Sequence, residues 1–239
     1  MKYKLITVVG TRPELIRLSS IIKNLDINFD HILIHTNQNF DKNLKHVFFK
    51  DLGIKKPKYD LNIKSNNAIE TISKIFIKIN EILDKEKPDA FFVLGDTNSS
   101  LSAIVAKKKK IPIFHYEAGN RCFDQRVPEE INRKLTGSIA RFHFAPTSVS
   151  KQNLINEGIS ENQICITGNT VIDALLSVKE KIDTDVALAH KLSLQFKLID
   201  FSKKLIVVTG HRRENFGSGF EAICSALAQL AKKRSDIEI

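Results

Sequence analysis

Cysteine is scarce in this chain, with three among 239 residues, at positions 122, 165 and 224. They form no CxxC pair, which excludes a disulfide framework and points to mostly structural thiols in a reducing compartment, the cytoplasm by default. The seven histidines show no ligand spacing either, so no metal site is expected. No apolar run approaches the roughly 18–20 residues a membrane span needs, and no membrane partner is expected. The opening stretch MKYKLITVVGTRPE lacks the small-residue cleavage site of a signal peptide. Neither a GxGxxG dinucleotide fingerprint nor a Walker A loop occurs, and no cofactor is expected.

What is abundant is lysine. Lys and Arg number 37 against 27 Asp and Glu, a net charge of +10, which invites a nucleic-acid reading. The excess is spread through helix-like segments such as 63–87, and AKKKK at 106–110 falls where a helix ends, a position that suits cations. No aromatic-flanked basic ribbon, zinc-finger spacing or RNA-recognition signature accompanies it. The charge therefore reads as a solvated surface plus a site for an anionic small molecule, with no nucleic-acid partner.

Short β-branched runs alternate with helical stretches, the pattern of a parallel α/β sheet. Strands are expected at 4–9, 31–35, 90–94, 111–116, 141–145 and 163–167. Helices are expected at 14–24, 68–85, 99–109, 129–140 and 148–157, with another from near Val171 toward Ile182. Six strands with helix crossovers make a doubly wound, Rossmann-type domain, assigned to 1–183. A connecting stretch, 184–202, part of which could be helical, leads to a second start: KKLIVVTGHRREN, a helix near 216–233, and DIEI as the next strand. One strand, one helix and a strand fragment cannot enclose a core. Residues 184–239 are thus expected to be the incomplete start of a second Rossmann-like domain.

In an open parallel sheet, ligands bind at the carboxyl ends of the strands, and four junctions on that edge carry charge. In GTRPELIR, Thr11 and Glu14 have capping-box spacing and Pro13 fits the first helical turn. Capping does not require Arg12, whose charge beside exposed N–H groups favours a phosphate or carboxylate. In VLGDTNSS, Asp96 stands just past a strand, and helix capping by this stretch is an equally good account. In HYEAGNRCFDQRVPEEINRK, Glu117 emerges at the same edge, and Pro128 starts a helix with Glu129 and Glu130 in its first turn, one of them only a helix-start residue. Asn132 and Arg133 lie three and four positions after Glu129 and are expected in its neighbourhood. His115 lies within the strand and reads as structural. In VTGHRREN, His211 and two arginines follow the first strand of the second domain.

Taken in order, GTRPELIR, VLGDTNSS, HYEAGNR…VPEEINRKLTG, ITGNTVIDAL and VTGHRRENFG resemble the non-hydrolysing UDP-N-acetylglucosamine 2-epimerases, across nearly the whole chain. The resemblance implies a two-domain fold like that of the GT-B glycosyltransferases, with the active site in the interdomain cleft and a truncated UDP-binding domain at 184–239. It implies interconversion of UDP-GlcNAc and UDP-ManNAc for surface polysaccharide, by elimination of UDP and its re-addition, in an enzyme that is a homodimer when full length. Asp96, Glu117 and Glu129 fall on the family's acid/base carboxylates. Arg12 and His211 fall on substrate-binding positions, His211 being counted with the catalytic set. Arg133 is read as substrate-binding, and Arg17 falls where many members carry lysine.

Three departures qualify what the resemblance implies. The stretch HTNQNFDKNL keeps Gln38 but lacks the Gln-His pair of members activated by their own substrate. The segment GNRCFDQRVPEEINRK also looks like the subgroup acting on a 6-deoxy sugar nucleotide in the UDP-N-acetyl-L-fucosamine pathway, so that substrate is the alternative reading. The family's Gly-Gly-x-x-Glu-Glu motif is absent, which makes a catalytically inactive truncated product a further alternative. An epimerase that hydrolyses its product to free ManNAc is the remaining enzyme reading.

Overall fold

The computed structural model describes residues 2–37, 48–63, 65, 67–209 and 217–239. The chain divides into two compact units, Met1–Ser177 and Val178–Ile239.

In the first unit, β1 (Lys4–Val9), α1 (Arg12–Asn28), β2 (Asp30–His35) and β3 (Tyr59–Asp60) are followed by α2 (Ala68–Glu86) and β4 (Ala90–Leu94). A 3-10 turn (Ser100–Ser102) then leads into α3 (Ala103–Lys108), β5 (Ile113–Tyr116), α4 (Pro128–Ile139), β6 (Phe142–Ala145), α5 (Ser148–Asn156), β7 (Ile164–Ile166) and α6 (Thr170–Thr184), whose residues from Val178 on belong to the second unit. The seven strands form one sheet in the order β3-β2-β1-β4-β5-β6-β7, and every neighbouring pair is parallel.

Successive strand residues face opposite sides of a sheet, and β1 shows what that builds. Ile6 and Val8 pack with Ile75, Ile79 and Leu83 of α2 and Ala103 and Ala106 of α3. Leu5 and Val9 pack on the other face with Leu15, Leu18 and Ile22 of α1. Both faces are covered, which is why the central strands read as nearly continuous apolar runs rather than alternating ones.

The expected six strands are all present, and the sheet has a seventh. The edge strand β3 is two residues long and lies in KKPKYDL, where lysines and a proline leave no alternation to read. The expected helix at 99–109 is a 3-10 turn running into the short α3, and α1 extends four residues past its expected end. None of the three cysteines is a core thiol; all are free and exposed, so the expectation of mostly structural thiols is corrected.

The second unit carries α7 (Val186–Ser193), β8 (Lys204–Leu205), α8 (Ser218–Lys233) and β9 (Ile237–Glu238). β8 and β9 pair in parallel, as a β-α-β start requires. No residue of α7 or α8 is buried, although α8 is amphipathic. No described helix is long and apolar enough to cross a membrane.

Candidate active site

The sheet grows outward from β1 in both directions, with β2 on one side and β4 on the other. That reversal is the topological switch point, where the carboxyl ends of adjacent strands leave a crevice for ligands. The segment Gly10–Thr11 after β1 and the segment Gly95–Thr97 after β4 flank it. Gly95 turns the second segment with φ +61°, a conformation open to glycine at no steric cost.

Glu14 ties the two segments together. One carboxylate oxygen accepts the Gly10 N–H at 2.9 Å and the Thr11 N–H at 2.7 Å. The other accepts the Thr97 hydroxyl at 3.0 Å. The side chain is buried, with 1% exposure. Burial pushes its pKa up to about 7, against the opposing pull of the Gly10, Thr11 and Thr97 hydrogen bonds. The capping role expected of Glu14 is present in the bond to Thr11, while the tie to Thr97 crosses 83 positions of sequence.

Glu117 directly follows β5 and adopts φ +59°, a left-handed conformation that costs a non-glycine residue about 1–2 kcal/mol. Arg17, on α1, donates from Nη1 to both of its oxygens, at 2.8 and 2.7 Å. The Asn120 amide donates to Oε1 at 3.3 Å and is itself held by the Ser150 hydroxyl at 2.9 Å. Between them Gly119 has φ +85°, and a Cβ there would lie 2.1 Å from the Ser150 carbonyl oxygen. Burial raises the Glu117 pKa; Arg17 opposes this, and the charge of Asp96 adds to it. The net direction is upward, so the protein holds this carboxyl closer to neutrality than a surface glutamate.

Asp96 is the neighbouring carboxylate. It accepts Arg133 Nη2 at 2.5 Å, and its backbone carbonyl accepts the Asn132 amide at 2.8 Å. Arg133 also reaches Glu130 Oε2 at 3.2 Å, which in turn accepts the Cys122 N–H at 3.1 Å. Burial pushes the Glu130 carboxyl up, yet the Cys122 and Arg133 hydrogen bonds outweigh it and the net shift is downward.

The adjacent glutamates of α4 therefore part. Glu130 is fully buried and Glu129 is exposed, without an ion pair or hydrogen bond among the described residues. Neighbouring helix positions diverge by about 100°, so only one of the two can face the core. Asn132 and Arg133 lie three and four positions after Glu129 on α4, as expected, and make their hydrogen bonds to Asp96 and Glu130.

Four of the site residues expected from sequence, Arg17, Asp96, Glu117 and Arg133, thus form one charge-alternating cluster at the strand ends. Arg12 is exposed, its guanidinium carbon 5.9 Å from the Phe48 ring centroid. His211 and Gln38 lie outside the described residues. His115 is buried in β5, with Nε2 against the Gly95 carbonyl at 2.9 Å. The spacing of Thr11 and Glu14 signalled the bond within the first loop, whereas the Glu14–Thr97 tie and the contacts of Asn120 and Glu130 had no sequence signal beyond placement in the same junction motifs. Among the described residues no group of three or more His, Cys, Asp or Glu side chains could hold a metal ion.

Such an arrangement can move protons and hold negative charge. It offers the Glu117 carboxyl, raised toward neutrality, beside guanidinium groups aimed at the same strand ends.

A family model described as UDP-N-acetylglucosamine 2-epimerase matches residues 23–239. The UDP-N-acetylglucosamine 2-epimerase of Methanocaldococcus jannaschii is 45% identical over 217 residues, 89% of this chain and 57% of that protein. That of Escherichia coli strain K12 is 42% identical over 243 residues, 99% of this chain and 64% of the relative. The structure of UDP-GlcNAc 2-epimerase from Neisseria meningitidis bound to UDP-GlcNAc superposes with a TM-score of 0.91 at 35% identity, covering 98% of this chain and 64% of that one. This chain thus spans 57–64% of the length of these relatives.

Proposed function

The chain belongs to the UDP-N-acetylglucosamine 2-epimerase family, and from that premise we propose that the full-length protein interconverts UDP-GlcNAc and UDP-ManNAc, for surface polysaccharide. The observation that carries this reading is the Arg17–Glu117 and Asp96–Arg133 cluster at the carboxyl ends of β4 and β5. Inverting C2 means removing a proton of low acidity, and elimination makes that tractable. A carboxylate takes the C2 proton, the C1–O bond breaks with its electron pair leaving on UDP, and a 2-acetamidoglucal remains. Return of a proton to the opposite face of C2, with re-addition of UDP at C1, yields the epimer.

Asp96, Glu117 and Glu129 supply the base and the acid. Burial and the charge of Asp96 raise the Glu117 pKa, Asp96 is paired with Arg133, and Glu129 is exposed. Arg12, Arg17, Arg133 and His211 bind the substrate and offset the charge of the departing diphosphate, with His211 completing the catalytic set. Residues 1–183 form the catalytic Rossmann-like domain and 184–239 open the UDP-binding domain. The full-length enzyme works as a homodimer in the cytoplasm.

The test is epimerisation of UDP-GlcNAc by the full-length protein in deuterium oxide, followed by proton NMR. Deuterium at C2 of both epimers is expected. Epimers that retain C2 protium would overturn the mechanism, and release of free ManNAc would point to a hydrolysing enzyme instead.

A further inference from the structure

Glu14 is a buried carboxylate without a part in the proposed reaction. It meets the loops after β1 and β4 at once, taking the Gly10 and Thr11 amides on one oxygen and the Thr97 hydroxyl on the other. A capping box alone needs only the bonds within the first loop. The additional bond goes to the residue that follows Asp96, from a side chain with 1% exposure.

The hydroxyl of Thr97 makes this bond directional. A hydroxyl has one proton to donate and two lone pairs to accept with. Thr97 Oγ1 already accepts the Ser99 N–H at 3.2 Å. With Glu14 ionised, the Thr97 proton is committed to Glu14. With Glu14 protonated, the carboxyl can donate to Thr97 instead, and the hydroxyl proton is released toward another acceptor at the strand end, beside Asp96.

We infer that Glu14 is a positioning residue for the 2-epimerase reaction: its ionised carboxylate sets the donor direction of the Thr97 hydroxyl and, through the loop they share, the pose of Asp96. This rests on the epimerase reading. It differs from a purely structural cap because it depends on the charge of Glu14 and not only on its shape.

The charged groups on the flanking segments are otherwise engaged. On α1, Arg17 binds Glu117 and Arg12 lies over Phe48. After β4, Asp96 binds Arg133. At the end of β2, the buried His35 packs edge-on against Phe49. Among the described residues, burial and hydrogen bonds rather than an ion pair govern Glu14, and burial raises its pKa to about 7.

Glu14→Gln isolates the effect. Its amide oxygen can accept the Gly10 and Thr11 amides, while its NH₂ donates to Thr97, which reproduces the protonated state at every pH. In the full-length protein, kcat for C2 exchange into deuterium oxide should fall about tenfold, with KM unchanged within about twofold, the scale of one charge-assisted hydrogen bond lost from the reacting state. The limb near pH 7 in the wild-type profile should disappear. A thermal melt that matches the wild type shows that the variant folds, and carbon-13 NMR titration of the Glu14 carboxyl in the wild type should give an inflection near neutrality.

A variant with wild-type kcat and an unchanged limb would overturn the inference, as would a Glu14 carboxyl that titrates near 4.5. So would activity lost only in step with folded protein. Absence of C2 exchange in the wild type itself would overturn the epimerase reading, and this inference with it.

Discussion

Two clusters in the first unit place a glutamate among basic side chains, and they shift its protonation in opposite directions. In one, Glu86 at the end of α2 accepts Lys58 at 2.7 Å and the Tyr59 hydroxyl at 2.5 Å, with Lys4 at 3.5 Å. Its pKa is lowered to about 2, chiefly by the Lys58 and Tyr59 hydrogen bonds. In the other, Glu117 receives both of its short bonds from Arg17, yet its pKa is raised, because burial and the charge of Asp96 outweigh the arginine. The Glu86 cluster gathers two lysines and a phenol around one carboxylate. The Glu117 cluster instead sets Glu117 beside a second carboxylate, Asp96, whose charge joins burial in opposing its ionisation. A structural ion cluster stabilises charge, whereas a chemical site keeps carboxyls near the point of giving or taking a proton.

This contrast can be broken most directly by neutralising the carboxylates at the strand ends. Glu117→Gln or Asp96→Asn in the full-length protein should reduce kcat for C2 exchange by about 10²–10⁴-fold, while the melting temperature stays within a few degrees of wild type. A loss below fivefold in both would remove the functional half of the comparison.

The next effect tests the frame that holds Glu117 in place. Gly119→Ala would put a Cβ against the Ser150 carbonyl at a left-handed position. Urea unfolding should show a loss of about 2–4 kcal/mol, because the obstacle is backbone and cannot swing aside.

At the other cluster, Glu86→Gln should cost about 1 kcal/mol and leave kcat unchanged. The sign with pH follows from a folded pKa below the unfolded one. The stabilisation from Glu86 is present above about pH 4.5 and is lost as pH falls through about 2. A wild-type acid-unfolding curve compared with that of the variant reads this out, and the two should converge at the acid end.

The smallest effect sharpens the pairing itself. Arg17→Lys keeps the charge and loses the forked geometry, so a change of about two- to fivefold in kcat/KM is expected. A loss as large as that of Glu117→Gln would make the fork, and not the charge, the essential feature.

The alternation of apolar runs with helical stretches made the doubly wound fold legible, because strand and helix periodicities are local. The same locality placed Asp96 and Glu117 just past their strands. It failed at β3, where two residues in a lysine- and proline-rich stretch carry no period. It left the partner of Arg133 open, since i,i+4 spacing from Glu129 is as good on paper as i,i+3 spacing from Glu130, and only burial of the helix decides between them. Likewise, cysteine scarcity said nothing about where the three thiols sit, and all three are exposed.

By itself, then, the amino-acid sequence determined the parallel α/β class, the junctions that carry charge and the family to which those junctions belong. Each of these depends on residues within a few positions of one another. The partners of the charges were decided by the tertiary structure. Arg17 meets Glu117 across 100 positions, and Glu14 meets Thr97 across 83. Those meetings require β1 to lie beside β4, and β4 beside β5. The protonation of the carboxyls follows from the same packing, because only the folded chain removes the water that would otherwise keep them ionised.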